Sequence, residues 1–247
     1  MKIAFMGILK IIYTPLFRRA AHQTLKGRLL DREKPKQGRW MASDISAYLR
    51  QTWHRVDALI PIANLEKLPN YGNRHNVFLA IVTAAAYQIM IERGVTANYT
   101  KALVSDLGWK IYSWMLGFVS LPFRIVFSDP GRRIKYTLKV LMFFPFSAPG
   151  APGYEGKVWT KGGSTYTHWK HCPPQAFIRH LVKTYGDRGE LDAFYNSWCL
   201  YDWPGADIIA GDGQHGHYSR LYTLSRGDAL CNMCWHGTSN SGPKPEK

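Results

Sequence analysis

The strongest constraint on this chain is a change of rhythm partway along it. From residue 76 to 93 the apolar residues recur at helical spacing, and Gly94 supplies the left-handed stop that ends such a helix. Thr96 then caps a second helical run to about Gly117. Asp129-Pro130 starts a third, an acceptor side chain followed by proline at the first helical position, and that run ends near Phe144-Pro145. Three such helices in succession predict a helical half. The segment 149–163, crowded with glycine and proline, reads as a loop and as the best internal boundary. Beyond it the pattern alternates: 165–171 reads as a strand, and Pro173-Pro174 open a helix to about Tyr185. A turn follows at 186–189, then a short helix over 191–202 stopped before Pro204, and a glycine-rich loop over 205–216. The segments 217–224 and 230–236 pair as a hairpin around Ser225-Arg226-Gly227-Asp228. The expected class is α+β, an N-terminal helical half followed by a small antiparallel sheet with helices.

Composition narrows the function classes. With 46% hydrophobic and 20% charged residues among 247, the chain can bury a sizeable core, which excludes global disorder. No internal repeat is present. Lys and Arg number 32 against 17 Asp and Glu, a formal charge of +15 that attracts anions. Helix-turn-helix, zinc-finger and RNP signatures are missing and the basic residues are spread out, so nucleic acid is not an expected partner. Four cysteines are too few for a disulfide scaffold.

Ten of the basic residues lie in the first 40, against Asp31 and Glu33. The opening apolar run is interrupted by Lys10 and Pro15 and lacks a small-residue cleavage site, so neither a cleaved signal nor a spanning helix is expected. The expected location is cytoplasmic, with peripheral contact to an anionic membrane surface through residues 1–40. There Ile8, Ile11, Ile12 and Leu16 form an apolar stripe that either meets lipid or packs on the domain. A short helix is expected over 43–59 with Ser43 as its cap. The predicted organisation is a basic extension over 1–70, an α+β domain over 71–237, and a disordered tail over 238–247.

Several side chains could carry chemistry. Cys231-Asn232-Met233-Cys234, with His236 nearby, invites a zinc reading, but a second ligand pair is missing. On a strand, Cys231 and Cys234 also point to opposite faces, so no metal is expected. On a helix over 191–202, Cys199 and Asp202 share one face. A thiol and a carboxylate there can serve as nucleophile and acid/base, or they can be a packed cysteine beside a helix-ending aspartate. His171-Cys172, closing a strand, has the same two readings. Gly211-Asp212-Gly213 lacks the full phosphate-binding pattern and is expected to be a flexible turn.

Five motifs in order resemble the L-2-amino-thiazoline-4-carboxylate hydrolase family. They are the helix turn IERGVTANYTKAL over 91–103, Phe143-Phe144-Pro145, Cys172-Pro173 closing a strand, Cys199-Leu200-Tyr201-Asp202, and Gly227-Asp228-Ala229-Leu230-Cys231. The resemblance spans residue 76 to about 236 and leaves 1–70 uncovered. It implies a cofactor-independent hydrolase that opens the C–N bond of a cyclic amidine, with Cys172, Cys199, Asp202 and Cys231 around one pocket. On that footing Cys199 is the expected nucleophile, Asp202 the acid/base and His217 the proton partner, with His171 and Tyr201 beside the small-molecule substrate. The basic N-terminus and 34 aromatic residues point to a larger, apolar or anionic substrate. Isomerisation, dehydration or cyclisation on the same scaffold stays open, as does a non-catalytic accessory role at a membrane surface.

Overall fold

The computed structural model describes residues 2–239. In chain order the elements are α1 (Lys2–Leu25), α2 (Ala42–Leu59), α3 (Tyr71–Glu92), α4 (Ala97–Val126), α5 (Pro130–Phe143), β1 (Glu155–Lys161), β2 (Ser164–His171), α6 (Pro173–Tyr185), α7 (Glu190–Phe194), α8 (Asp202–Ala210), β3 (Tyr218–Arg220) and β4 (Cys231–Trp235). The strands form one antiparallel sheet in the order β1-β2-β4-β3. The class is α+β with a helical N-terminal half.

The chain divides into two compact units, neither continuous in sequence: one holds the residues up to Lys67 with Val77–Ile111 and Phe177–Ser197, the other Leu68–Asn76, Tyr112–Ala176 and the chain from Trp198. Of the segment 1–70, the residues up to Lys67 belong to the first unit and 68–70 to the second. In that first unit α1 buries Leu9, Tyr13, Phe17, Ala20 and Leu25, residues spaced three to five apart that define a stripe. Phe17 meets Tyr48 and Trp53 at ring distances of 6.4 and 5.9 Å, and Tyr13 meets Phe78 at 6.1 Å. The stripe read from sequence does not pack: Ile8, Ile11 and Ile12 are exposed and Leu16 is half-buried. α2 begins one residue early, and the Asp44 carboxylate, not Ser43, closes its first turn by accepting the Met41 N–H at 2.9 Å.

The second unit carries the sheet. Thr165, Thr167 and Trp169 alternate inward along β2. α5 and α8 pack on that face through Ile134, Leu138, Leu141, Ala206 and Ile209, with Leu116, Tyr218 and Trp235 in the same cluster. The Asp129 side chain caps α5 by accepting the Arg132 N–H at 2.7 Å, as its sequence predicts. The Trp235 indole donates to the Thr167 hydroxyl at 2.9 Å and ties β4 to β2.

Four expectations need correction. The loop over 149–163 contains β1, an edge strand whose glycine, lysines and exposure mask its pairing. α4 continues nine residues past Gly117, through Pro122. The helix over 191–202 is three pieces: α7, a π turn over Tyr195–Cys199, and α8, which starts at Asp202. Pro204 does not stop that helix, because in the first turn of α8 its missing N–H has no carbonyl to lose. The tail predicted to be disordered lies outside the described residues from 240 onward.

β1 joins the sheet by a close approach at Gly156, where a Cβ would collide with the His168 carbonyl and the Trp169 ring. Gly156→Ala must spread the β1–β2 ladder or displace the buried Trp169. Unfolding in urea is expected to show a loss of about 2 kcal/mol, and unchanged stability would mean that the edge strand shifts freely.

Candidate functional site

A polar cluster sits where α8, β3 and the turn before β4 come together in the second unit. Asp202 is the first residue of α8 and Cys199 the last of the π turn. Tyr218 and Arg220, two apart on β3, point the same way, and both are buried. Tyr218 donates its hydroxyl to the Asp202 carboxylate at 3.1 Å. Arg220 reaches the same oxygen at 3.4 Å and donates to the Cys199 carbonyl at 2.9 Å. Its guanidinium lies 4.7 Å from the Trp203 ring centroid, so its remaining face is covered by an aromatic ring.

Three thiols surround this cluster. Cys199 Sγ lies 3.0 Å from the Ser225 hydroxyl. Cys231 accepts the Leu224 N–H at 3.2 Å and lies 3.4 Å from the Thr223 hydroxyl. Cys172 meets the backbone N–H of Gln175 and is hydrogen-bonded to the Tyr154 hydroxyl, which in turn takes a 3.0 Å bond from Asn76. His75 completes the chain 3.0 Å from Asn76. All three thiols interact electrostatically with one another's charge or with that of Asp202.

The electrostatics are dominated by burial. Loss of water pushes the Asp202 carboxyl up to about 6, against the opposing pull of Arg220 and the Tyr218 hydrogen bond. Burial pushes the Cys199 thiol up to about 12 although Arg220 and Ser225 favour its thiolate, and Cys172 and Cys231 are raised in the same way. At neutral pH the site therefore holds thiols, not thiolates, beside a carboxyl poised close to its midpoint.

Asp202 is also the carboxylate in the wall of a small cavity of about 50 Å³ in the same unit, otherwise lined mainly by apolar residues that include Met142, Phe146, Trp169 and Met233. Tyr112, another lining residue, stacks on the buried Tyr201 at 5.4 Å. Tyr201 thus backs the cavity wall. Of the residues expected from sequence, Cys172, Cys199, Asp202 and Cys231 belong to the polar cluster, and of these four Asp202 is the one in the cavity wall. His171 is held by the Gly153 carbonyl at 2.7 Å. His217 is buried with both ring nitrogens engaged, by the His236 carbonyl at 2.9 Å and by Asp212 at 3.2 Å. Asp202 takes its partners from Tyr218 and Arg220 instead. Sequence reading passed over both, yet an arginine two residues after a tyrosine on an inward-facing strand was a legible signal. Cys231 and Cys234 lie on opposite faces of β4, and among the described residues no three His, Cys, Asp or Glu side chains gather into a metal-sized group.

The raised Asp202 pKa has a sign that stability can test. Its folded value lies above the ordinary 3.8, so its contribution to stability is full below about pH 4 and is lost as the pH rises through about 6. At about 1.4 kcal/mol per pH unit that amounts to roughly 3 kcal/mol, an upper value because the side chain keeps 13% exposure. Relative to Asp202→Asn, which cannot ionise, the wild type is expected to lose about 2–3 kcal/mol between pH 4 and 7 in urea titrations. A difference that stays flat with pH would mean the carboxyl titrates as it does in water. No family model matches the chain, and no curated protein or solved structure matches it.

Proposed function

We propose that this protein is a cofactor-independent enzyme that opens a cyclic amidine, a thiazoline-like ring, at the cavity bounded by Asp202. The observation that carries the reading is Asp202 itself: a carboxyl in the wall of a largely apolar cavity, poised near neutrality, where one group can serve first as base and then as acid. The resemblance of the cysteine and aspartate motifs to the thiazoline-carboxylate hydrolases points to the same substrate class.

In this mechanism the Asp202 carboxylate takes the Cys199 thiol proton as Sγ bonds to the electrophilic C=N carbon. The carboxyl returns that proton to the ring nitrogen as the C=N π pair moves onto it, giving a tetrahedral adduct. The exocyclic amino group then forms a new C=N bond and gives up a proton that Asp202 passes to the ring nitrogen, which leaves as the amine with the C–N bonding pair. Water then adds to the same carbon, displaces Cys199 Sγ and restores the thiol. A thiol held near 12 makes a resting thiolate scarce, so proton removal has to accompany attack. Arg220, bound to both the Asp202 carboxylate and the Cys199 carbonyl, fixes the two groups relative to one another. The apolar wall favours a substrate with an apolar body, and the aromatic lining suits a ring.

The protonated state of Cys199 also favours a second reading, in which Asp202 alone moves protons in an isomerisation, dehydration or cyclisation and no covalent adduct forms. Turnover of 2-aminothiazoline-4-carboxylate and of bulkier 2-substituted thiazolines, followed by mass spectrometry, separates the two. Cys199→Ala is expected to abolish ring opening and Asp202→Asn to lower kcat by about 10²-fold or more, with both variants folded. The rate should rise with pH through about 6, as Asp202 ionises. Ring opening that survives Cys199→Ala removes the thiol from the mechanism, and no turnover of any thiazoline removes the substrate class.

A further inference from the structure

We propose that the outer face of α4, from Trp114 to Val126, docks on the surface of an anionic lipid bilayer, lying among the headgroups without crossing. Trp114, Phe118, Leu121 and Ile125 follow one another at intervals of four, three and four residues, which places them on one helix face. They are 59, 70, 49 and 76% exposed, and Val126 beside them is 71% exposed. The Trp114 and Phe118 rings stack at 6.1 Å. A lone exposed leucine needs no explanation, whereas a periodic stripe of large apolar side chains marks an interaction surface. The opposite face of the same helix is anchored, since Leu116 packs in the core with Leu138 and Leu141. The stripe is therefore presented by a fixed helix.

Charge identifies the occupant. Between Leu107 and Tyr154 the chain carries Lys110, Arg124, Arg132, Arg133, Lys135 and Lys139 against the single acid Asp129. Tyr136 on α5 stacks on Phe123 and Phe127 of the chain around the α4 terminus at 6.2 and 4.9 Å, and the Lys139 ammonium lies 5.2 Å from the Tyr136 ring. On α5 the flanking Val140 and Phe143 are exposed as well. An apolar stripe on so basic a stretch of chain complements acyl chains beneath anionic headgroups. A second copy would instead bring its own excess of +15 against this surface. The stripe is one-sided, which suits a helix lying in the interface. Among the described residues, α3 is the helix long and apolar enough to span a membrane, and 83% of its apolar window is buried.

Flotation with vesicles of phosphatidylcholine, alone or mixed with phosphatidylserine, tests this on the full chain. Binding is expected only with phosphatidylserine, to weaken at high salt, and to fall at least about tenfold in F118S/I125S, whose thermal unfolding should match wild type. I8S/I11S, altered on the exposed face of α1, should bind as wild type does. Failure of the wild type to bind at low salt, undiminished binding by F118S/I125S, or binding lost only in I8S/I11S would overturn the proposal. So would a wild-type dimer in sedimentation that F118S/I125S disperses, which would make the stripe a self-interface. Retention after alkaline carbonate would show insertion, which also contradicts surface docking.

Discussion

A guanidinium with almost no exposed surface organises the second unit. Arg220, with 2% of its side chain exposed, binds the Asp202 carboxylate and the Cys199 carbonyl and lies over Trp203. Those partners come from the start of α8 and the end of the π turn, so one side chain fixes where a helix begins relative to the strand that carries the arginine. Breaking such a buried pair typically costs about 3–5 kcal/mol, mainly because the surviving charge stays buried without a partner. Tyr218 strengthens the arrangement from below, since its hydroxyl joins the same carboxylate while its ring meets Trp203 at 4.6 Å and Trp235 at 4.8 Å. The polar pair and the aromatic core are therefore one construction.

That construction explains the unusual acid–base state around it. One positive charge serves a carboxylate and lies close to two thiols, Cys199 and Cys231, and burial there works against a second anion. The carboxylate, with two oxygens and two donors, ionises first, and each thiol stays protonated because its anion would face both desolvation and the charge on Asp202. Competition for Arg220 thus decides which of these groups carries the negative charge.

The parts of the fold that were legible in sequence are those set by local chemistry. Asp129-Pro130 named the start of α5, Pro173-Pro174 that of α6 and Gly94 the end of α3, because capping and backbone preference act within a few residues. What was not legible depends on tertiary partners. The buried side of α1 is Leu9, Tyr13 and Phe17 where hydropathy alone favours Ile8, Ile11 and Ile12, because rings from α2 and α3 decide which apolar residues are covered. β1 is invisible to alternation because almost every residue on it is exposed and only its partner makes it a strand. Four of the candidate site residues were visible as motifs, but for Cys199 and Asp202 spacing on one helix was not the reason they meet. A π turn and a new helix bring Cys199 and Asp202 together, and Arg220 holds them.

The second half of α4 ties these observations to a single sequence property. Its residues from Tyr112 to Val126 are apolar nearly all the way round, a pattern that requires cover on every side or a nonaqueous neighbour. Tyr112 and Leu116 have their cover, in the cavity wall and the core. Trp114 and Phe118, offset by two residues, face the opposite way, stack on each other and stay mostly exposed. Hydrophobic burial alone would select against leaving those rings in water, and the basic residues around them do nothing to hide them. An anionic membrane surface supplies both an apolar environment for those rings and negative charge for the basic residues, which is why the proposed docking accounts for the two features together.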